Sequence, residues 1–409
     1  MDAKDKTTAN RAGEWAFDTT AAHAGDTHIQ QAEQGSPVIS TVKPLYLSNT
    51  FLAADINEMD EVFGGERQGF VYGRYANPTV GELERVVALL EGGQLENTAA
   101  FGSGMAAIHA AILATGVAAG DTVVASRDLY GQTWALLNGQ MRRLGVDTTF
   151  VDVTNIDEVA EAISRVRPKL VLAETISNPI LRVAPTARIC ELAHAVGALV
   201  LVDNTFATPY LVRPFERGAD IVIHSATKYL SGHGDTMGGV AVARTRELGD
   251  ELRRVRRDTG AVLSPHDAWL ITRGIRTLPL RIERQCENAY EVAKWLSEQP
   301  GVESVNYPAL KPGALETLGS PLGGAMVSFV LKGASRGAVH AFMEHLKLIT
   351  PATTLGDLST LVLYPVMSSH RWVDEETRQA LGISEGLLRL SIGVENVKDI
   401  IGDLEQAFS

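Results

Sequence analysis

Cysteine is scarce: the 409 residues hold only Cys190 and Cys286, and neither sits in a Cys-x-x-Cys pair. That excludes a disulfide framework and a cysteine zinc site, and it fits a reducing, cytoplasmic setting. Basic charge is also short, since 37 lysines and arginines face 49 aspartates and glutamates, for a net charge of -12. Such a chain repels phosphodiester backbones and anionic lipid, so no nucleic acid and no membrane is expected, and small molecules remain as partners. No run approaches the ~20 apolar residues that a membrane span needs. The opening MDAKDKTTAN is charged and polar with no apolar signal core, so an unexported protein is expected. The histidines show no HExxH or comparable spacing, so no metal site is expected. What is abundant is apolar content, 45% of the chain, enough for a large core divided among two or three structural regions.

Residues 1–75 hold few periodic segments and read as an N-terminal arm that docks on its own domain or on a second subunit. At its end, residues 70–79, FVYGRYANPT, crowd aromatic rings around Arg74. Asn77 before Pro78 reads as a helix cap with proline at the first helical position, and Leu83, Val86, Val87 and Leu90 then recur on one helical face. From Thr98 onward, strands and helices alternate, which predicts an α/β fold with a mostly parallel central sheet. Strands are expected at 98–101, 122–125, 147–151, 170–173, 199–202 and 221–223, with helices such as 184–196 between them. Beyond about residue 240 the pattern turns helical, at 267–278 and 286–299. A smaller C-terminal α/β domain follows, with strands at 327–331 and 388–392 and a helix at 336–345. The expected limits are 1–75 for the arm, 76–279 for the large domain and 280–409 for the small one.

The chemistry concentrates at strand ends. The stretch 220–239, DIVIHSATKYLSGHGDTMGG, is a buried strand that delivers Ser225, Thr227 and Lys228 to the edge where a parallel sheet forms its sites. An amine there, with hydroxyls beside it and glycines permitting close approach, suits a Schiff base to an aldehyde cofactor that carries a phosphate. A solvated surface lysine is the plainer alternative. Gly102-Ser103-Gly104-Met105 opens a helix whose unpaired N–H groups make a phosphate seat, or else forms a simple tight turn. Asp203 ends four apolar residues, where a pyridinium N–H would satisfy its carboxylate, unless it caps a helix. Tyr130 follows another strand and could lay its ring over a flat cofactor or pack in the core. Arg389, among apolar neighbours in LLRLSIG, needs a carboxylate, either an internal Asp or Glu or the α-carboxylate of a substrate.

Five motifs in order, YGRYANPT at Tyr72, GSGMAAI after the strand at Thr98, VDNTF at Asp203, TKYLSGHGD at Lys228 and LLRLSIG at Arg389, together resemble the Cys/Met-metabolism enzymes that use pyridoxal phosphate. The resemblance runs from about residue 20 over nearly the whole chain. It implies the aspartate-aminotransferase-like fold, PLP fold type I, and a homotetramer built as a dimer of dimers with each active site shared between subunits. By motif match, Lys228 would hold pyridoxal 5'-phosphate and shuttle protons, Asp203 would pair with the pyridine nitrogen, and Tyr130 would stack on the ring. The N–H groups of Gly104 and Met105 and the hydroxyls of Ser225 and Thr227 would hold the phosphate, joined by Tyr72 and Arg74 of the neighbouring subunit. Asn178, in ETISNP, and Arg389 would receive the substrate.

The same resemblance implies loss of a γ-substituent through a vinylglycine-type intermediate, with Tyr130 as the acid for the departing group. TTLGD at 353–357 and the ending GISEGLLRLSIGVEN are most similar to the methionine γ-lyase branch. Members of the family also carry out γ-replacement, as O-acylhomoserine sulfhydrylases or cystathionine γ-synthases. Two positions depart from the methionine lyases: Gln132 stands where they carry a cysteine, and Thr354 where they carry a serine. Both would add to the substrate-binding set, and a more polar γ-substituent than a thioether, such as the oxyguanidino group of canavanine, is an expectation.

Overall fold

The computed structural model describes residues 15–26, 41–368, 371 and 375–408. Its centre is a seven-stranded sheet: β1 (Thr98–Phe101), β2 (Thr122–Ser126), β3 (Asp147–Val151), β4 (Leu170–Glu174), β5 (Leu199–Asp203), β6 (Ile221–His224) and β7 (Gly239–Ala243), in the order β1-β7-β6-β5-β4-β2-β3. The central strands β4, β5, β6 and β7 read as nearly continuous apolar runs because helices cover both faces. On one face Leu170, Leu172, Leu201, Ile221 and Ile223 pack on Ala107, Ile108 and Ala111 of the helix Gly104–Ala114. On the other, Val171, Val200, Val202 and Val222 meet Val159, Ile163 and Ile189. Residues alternate between these faces along each strand, as the two-residue period requires.

The ladders joining β2 to β3, β2 to β4, β4 to β5 and β5 to β6 are parallel. β7 runs antiparallel to both β1 and β6, so the sheet is mostly parallel, as expected. The sequence reading passed over β7 as the end of a glycine-rich loop. Its residues Gly239–Ala243 are all small or β-branched and fully buried, and only Gly fits at its start: a Cβ on Gly239 would lie 2.3 Å from the Ser103 carbonyl oxygen.

A second, five-stranded sheet contains β8 (Val302–Asn306), β9 (Met326–Leu331), β10 (Thr350–Pro351), β11 (Leu361–Leu363) and β12 (Leu387–Ser391), in the order β10-β11-β12-β9-β8. β12 lies in its middle and carries Arg389. Phe329, Leu388 and Leu390 of this sheet share a core with Val292 and Leu296 of the 20-residue helix Leu278–Ser297. Two helices were expected at 267–278 and 286–299. The observed pair is Pro265–Ile275 and Leu278–Ser297, because Pro279 in the first turn starts the second helix early while Thr277 breaks the first. The helix Arg336–His345 stands where it was expected, and Asn77 caps Pro78–Glu91, accepting from the N–H groups of Thr79 at 2.8 Å and Val80 at 3.3 Å.

The arm is described only in part, and the portions at 1–14 and 27–40 lie outside the described residues. Phe17–Ala22 and Ile56–Gly64 are helical, and Thr50 bridges Tyr72. Among the described residues no helix is long and apolar enough to cross a membrane.

The segment after Lys228 is braced by close backbone contact. In the helix Pro265–Ile275, a Cβ on Gly274 would lie 2.1 Å from the Ser231 carbonyl oxygen and 2.8 Å from that of Leu230. Gly274→Ala should therefore destabilise the fold by about 1–3 kcal/mol, despite alanine's better helix propensity. A denaturant midpoint equal to or above that of the wild type would contradict this packing.

Candidate active site

The parallel strands β2, β4, β5 and β6 end at one edge of the central sheet, and β12 of the second sheet faces that edge. Between them lies a cavity of about 610 Å³ lined by Gly104, Met105, Tyr130, Gln132, Asn178, Asp203, Ser225, Thr227, Lys228 and Arg389. Ten of the residues singled out in the sequence thus meet in one place.

Lys228 stands in the turn after β6, its N–H donating to the Ser225 carbonyl at 3.1 Å and its own carbonyl accepting from Gly232 N–H at 2.8 Å. Its Nζ donates to Thr354 Oγ1 at 2.9 Å, which draws Thr354 into the site. Burial, reinforced by the Arg389 cation, pushes the ammonium pKa down, with Asp357 opposing. The amine is therefore more available as a neutral nucleophile and base than a surface lysine.

Asp203 closes β5. Its Oδ1 accepts from Thr205 N–H at 2.9 Å and Thr205 Oγ1 at 2.5 Å. Enclosure by protein raises its pKa, against the pull of the Thr205 hydrogen bonds and the nearby His224. A cationic donor on its other oxygen would hold it ionised. Thr205 Oγ1 in turn accepts from Ser225 N–H at 2.8 Å, so one hydroxyl fixes the ends of β5 and β6 together. The sequence reading missed Thr205; the signal was its place two residues after Asp203 in VDNTF.

Gly104 and Met105 are the first two residues of the helix Gly104–Ala114, capped by Ser103, whose Oγ accepts from Ala106 N–H at 3.1 Å. Their own N–H groups have no intrahelical acceptor. The helix end abuts Ser225: a Cβ on Gly104 would lie 2.8 Å from the Ser225 Cβ and Oγ. Thr227 Oγ1 is engaged with Gly238, accepting from its N–H at 3.0 Å and donating to its carbonyl at 3.2 Å.

Arg389 is 3% exposed. Its Nη1 donates to Asn178 Oδ1 at 2.7 Å and its Nη2 to the Thr354 carbonyl at 3.4 Å, while its Nε is buried with no partner. Among the described residues it makes no ion pair, so of the two partners left open by the sequence, an internal carboxylate is not present. Burial pushes its pKa down to about 10. A buried guanidinium without an anion is costly, and the fork points to an incoming carboxylate.

Tyr130, 38% exposed, follows β2, and its N–H donates to Glu174 Oε1 at 2.6 Å. Glu174 also lines the cavity, a residue to which the sequence reading gave no role. Tyr72 and Arg74 are not brought to this cavity. Arg74 Nη1 donates to the Arg257 carbonyl at 2.9 Å, and its guanidinium lies 5.7 Å and 5.4 Å from the ring centroids of Tyr72 and Tyr75.

The cavity fits a flat, phosphorylated aldehyde: free helix N–H groups beside Ser225 suit the phosphate, Asp203 a protonated ring nitrogen, Tyr130 a ring face, and the Lys228 amine the aldehyde. Comparison with known proteins agrees. The profile of the family described as "Cys/Met metabolism PLP-dependent enzyme" matches residues 18–409. An L-methionine γ-lyase of Fusobacterium nucleatum subsp. nucleatum is 42% identical over 395 residues, covering 95% of this chain and 96% of the relative. A cystathionine γ-lyase of Bacillus subtilis is 43% identical over 347 residues, covering 84% of this chain and 89% of the relative. Among solved structures, a cystathionine γ-synthase of Xanthomonas oryzae pv. oryzae, in complex with aminoacrylate and cysteine, superposes with a TM-score of 0.88 at 36% identity, covering 96% and 97% of the two chains.

Proposed function

Because this chain belongs to the Cys/Met-metabolism family of pyridoxal-phosphate-dependent enzymes, we propose that it is a γ-lyase, removing the γ-substituent of an L-2-aminobutyrate-type amino acid to leave a 2-oxo acid and ammonia. The observation that carries this reading is the pairing in one cavity of a buried Arg389, with no anion among the described residues, and a Lys228 whose pKa is depressed. The first awaits a carboxylate; the second is poised for amine and proton chemistry. Pyridoxal phosphate, when bound, supplies an aldehyde for the substrate amine and a ring that stores the electrons left at Cα.

The chain's own residues do the rest. Gly104 and Met105 N–H groups with the Ser225 hydroxyl hold the phosphate, joined by Thr227 once its hydroxyl hydrogen turns from the Gly238 carbonyl, and Asp203 holds the ring nitrogen in its protonated form. Arg389, oriented by Asn178, clamps the α-carboxylate and so turns the Cα–H bond toward the Lys228 amine, which takes that proton. The Thr354 hydroxyl steers Lys228. Loss of a second proton, from Cβ, supplies the electron pair that expels the γ-substituent, and Tyr130 gives a proton to the departing group. Gln132 lines the same cavity and adds a donor and an acceptor to it, which suits a polar γ-substituent, with canavanine as one candidate beside methionine. Methionine, canavanine, cystathionine and an O-acylhomoserine, each given singly, test this reading: 2-oxobutyrate should appear without any added thiol. Absence of the 2-oxo acid from all four would sink it. The likeness to a cystathionine γ-synthase structure favours γ-replacement as the second reading, which requires product only when O-acylhomoserine and a thiol are both present.

The oligomer is part of the proposal. Leu47, Leu52, Ile56 and Phe63 of the arm are 70%, 98%, 72% and 54% exposed in the single chain, an apolar surface that suits burial against further copies. In a homotetramer of paired dimers, Tyr72 and Arg74 would serve the neighbour's phosphate. Arg74→Ala should then lose cofactor on dialysis, and co-expression with Lys228→Ala should restore part of the activity, since one site of each mixed dimer is intact. No restoration would place Arg74 in its own subunit's site or outside any site.

A further inference from the structure

β4 and β5 run parallel with Glu174 in register with Asp203, so the two carboxyl groups project from the same face of the sheet. Neighbouring carboxyls that close together resist double ionisation. Their other partners decide which one keeps the proton. Asp203 has two donors from Thr205 on a single oxygen, and His224, one residue past its register partner Ile223, favours its charge. Glu174 accepts from the Tyr130 N–H. The nearest other acid, Asp128 in the loop after β2, is paired with Arg182 at 3.2 Å. Lys228 and Arg389 line the same cavity. Burial raises the Glu174 pKa most and Asp203 next, Asp128 adds to them, and the backbone donors of Tyr130 and Asn178 oppose, with a strongly raised result.

We infer that Glu174 is a protonated positioning residue: as a neutral acid it holds the Tyr130 loop through its accepting oxygen and leaves Asp203 as the one anion facing the cofactor's ring nitrogen. This rests on the pyridoxal-phosphate reading of the cavity. Neither Glu174 nor its register with Asp203 could be given a role from the sequence, because the pairing joins residues 29 apart on separate strands.

Gln is the neutral isostere of a protonated Glu. Its carbonyl can accept from Tyr130 N–H and its amide can face Asp203. Glu174→Gln should therefore bind pyridoxal phosphate about as tightly as the wild type near neutral pH. A group that must hold a proton in the bound state weakens binding about tenfold for each pH unit above its folded pKa. The wild type should show that alkaline limb and Glu174→Gln should lack it, the difference between the two titrations removing the contributions of Lys228 and the cofactor. Amide hydrogen exchange gives a second readout. Exchange at Tyr130 should stay slow in Glu174→Gln and quicken in Glu174→Ala. Parallel titrations of wild type and Glu174→Gln, or a Gln variant that binds cofactor at least tenfold more weakly at neutral pH, overturn the inference. No cofactor binding by the wild type would overturn the reading beneath it, and the two failures are told apart by that control.

Discussion

Lys228→Ala is expected to lose at least about 10⁴-fold in turnover, because it removes both the amine that holds the cofactor's aldehyde and the base for the Cα proton. The fold should survive. Lys228 is a half-buried amine whose charge is disfavoured by burial and by Arg389, so its removal relieves part of a desolvation cost and leaves the Thr354 hydroxyl without its donor. The pH dependence has a definite sign. A lysine whose folded pKa lies below its ordinary value of 10.5 binds its proton more weakly in the folded state. Stability of the cofactor-free wild type should therefore rise with pH from that lowered value to the ordinary one, and Lys228→Ala should lack this contribution. Melting curves and 2-oxo acid formation measured on the same preparations separate the two effects. Near-normal turnover in the variant would remove Lys228 from the chemistry.

Arg389→Leu is expected to lower kcat/KM by about 10²–10⁴-fold, the equivalent of roughly 3–5 kcal/mol for truncating one partner of a buried charged contact. Most of the loss should fall on KM, since the clamp holds the substrate's carboxylate before and during reaction. Stability should move the other way or not at all. Arg389 is a cation at 3% exposure with an orphaned Nε and, among the described residues, no anion, so relief of its desolvation offsets the loss of its hydrogen bonds to Asn178 and the Thr354 carbonyl. A second consequence follows from its influence on Lys228: without the guanidinium the lysine pKa rises, so the acid limb of the pH–rate profile should shift upward. An unchanged KM would show that the carboxylate is held elsewhere.

What could be read from the sequence was what depends on neighbours along the chain. Asp203 and Lys228 each follow an apolar strand closely, and Gly104 starts a helix just after one, so their delivery to one edge follows from a parallel sheet. The Asn77-Pro78 cap is equally local. What escaped depends on contacts across the sheet. β7 looks like the tail of a glycine-rich loop until its antiparallel pairing with β1 and β6 is seen. Glu174 is one more residue at a strand end until its register places it against Asp203. Thr205 gains its role only by receiving the Ser225 N–H from the next strand. Tyr72 and Arg74 are legible as an aromatic and basic cluster, yet the fold of a single chain does not bring them to its own cavity. The open choice for Arg389 was narrowed by its contacts: among the described residues the fold supplies Asn178 and a carbonyl, not a carboxylate.

Borohydride reduction of the holoenzyme, followed by digestion and mass spectrometry of the peptides, reports which amine carries the cofactor's aldehyde. The account predicts a single modified site, Lys228 in the peptide that includes TKYLSGHGD, and none after the same treatment of Lys228→Ala. Label on any other lysine of the wild type, or none on a chain saturated with cofactor, would contradict it.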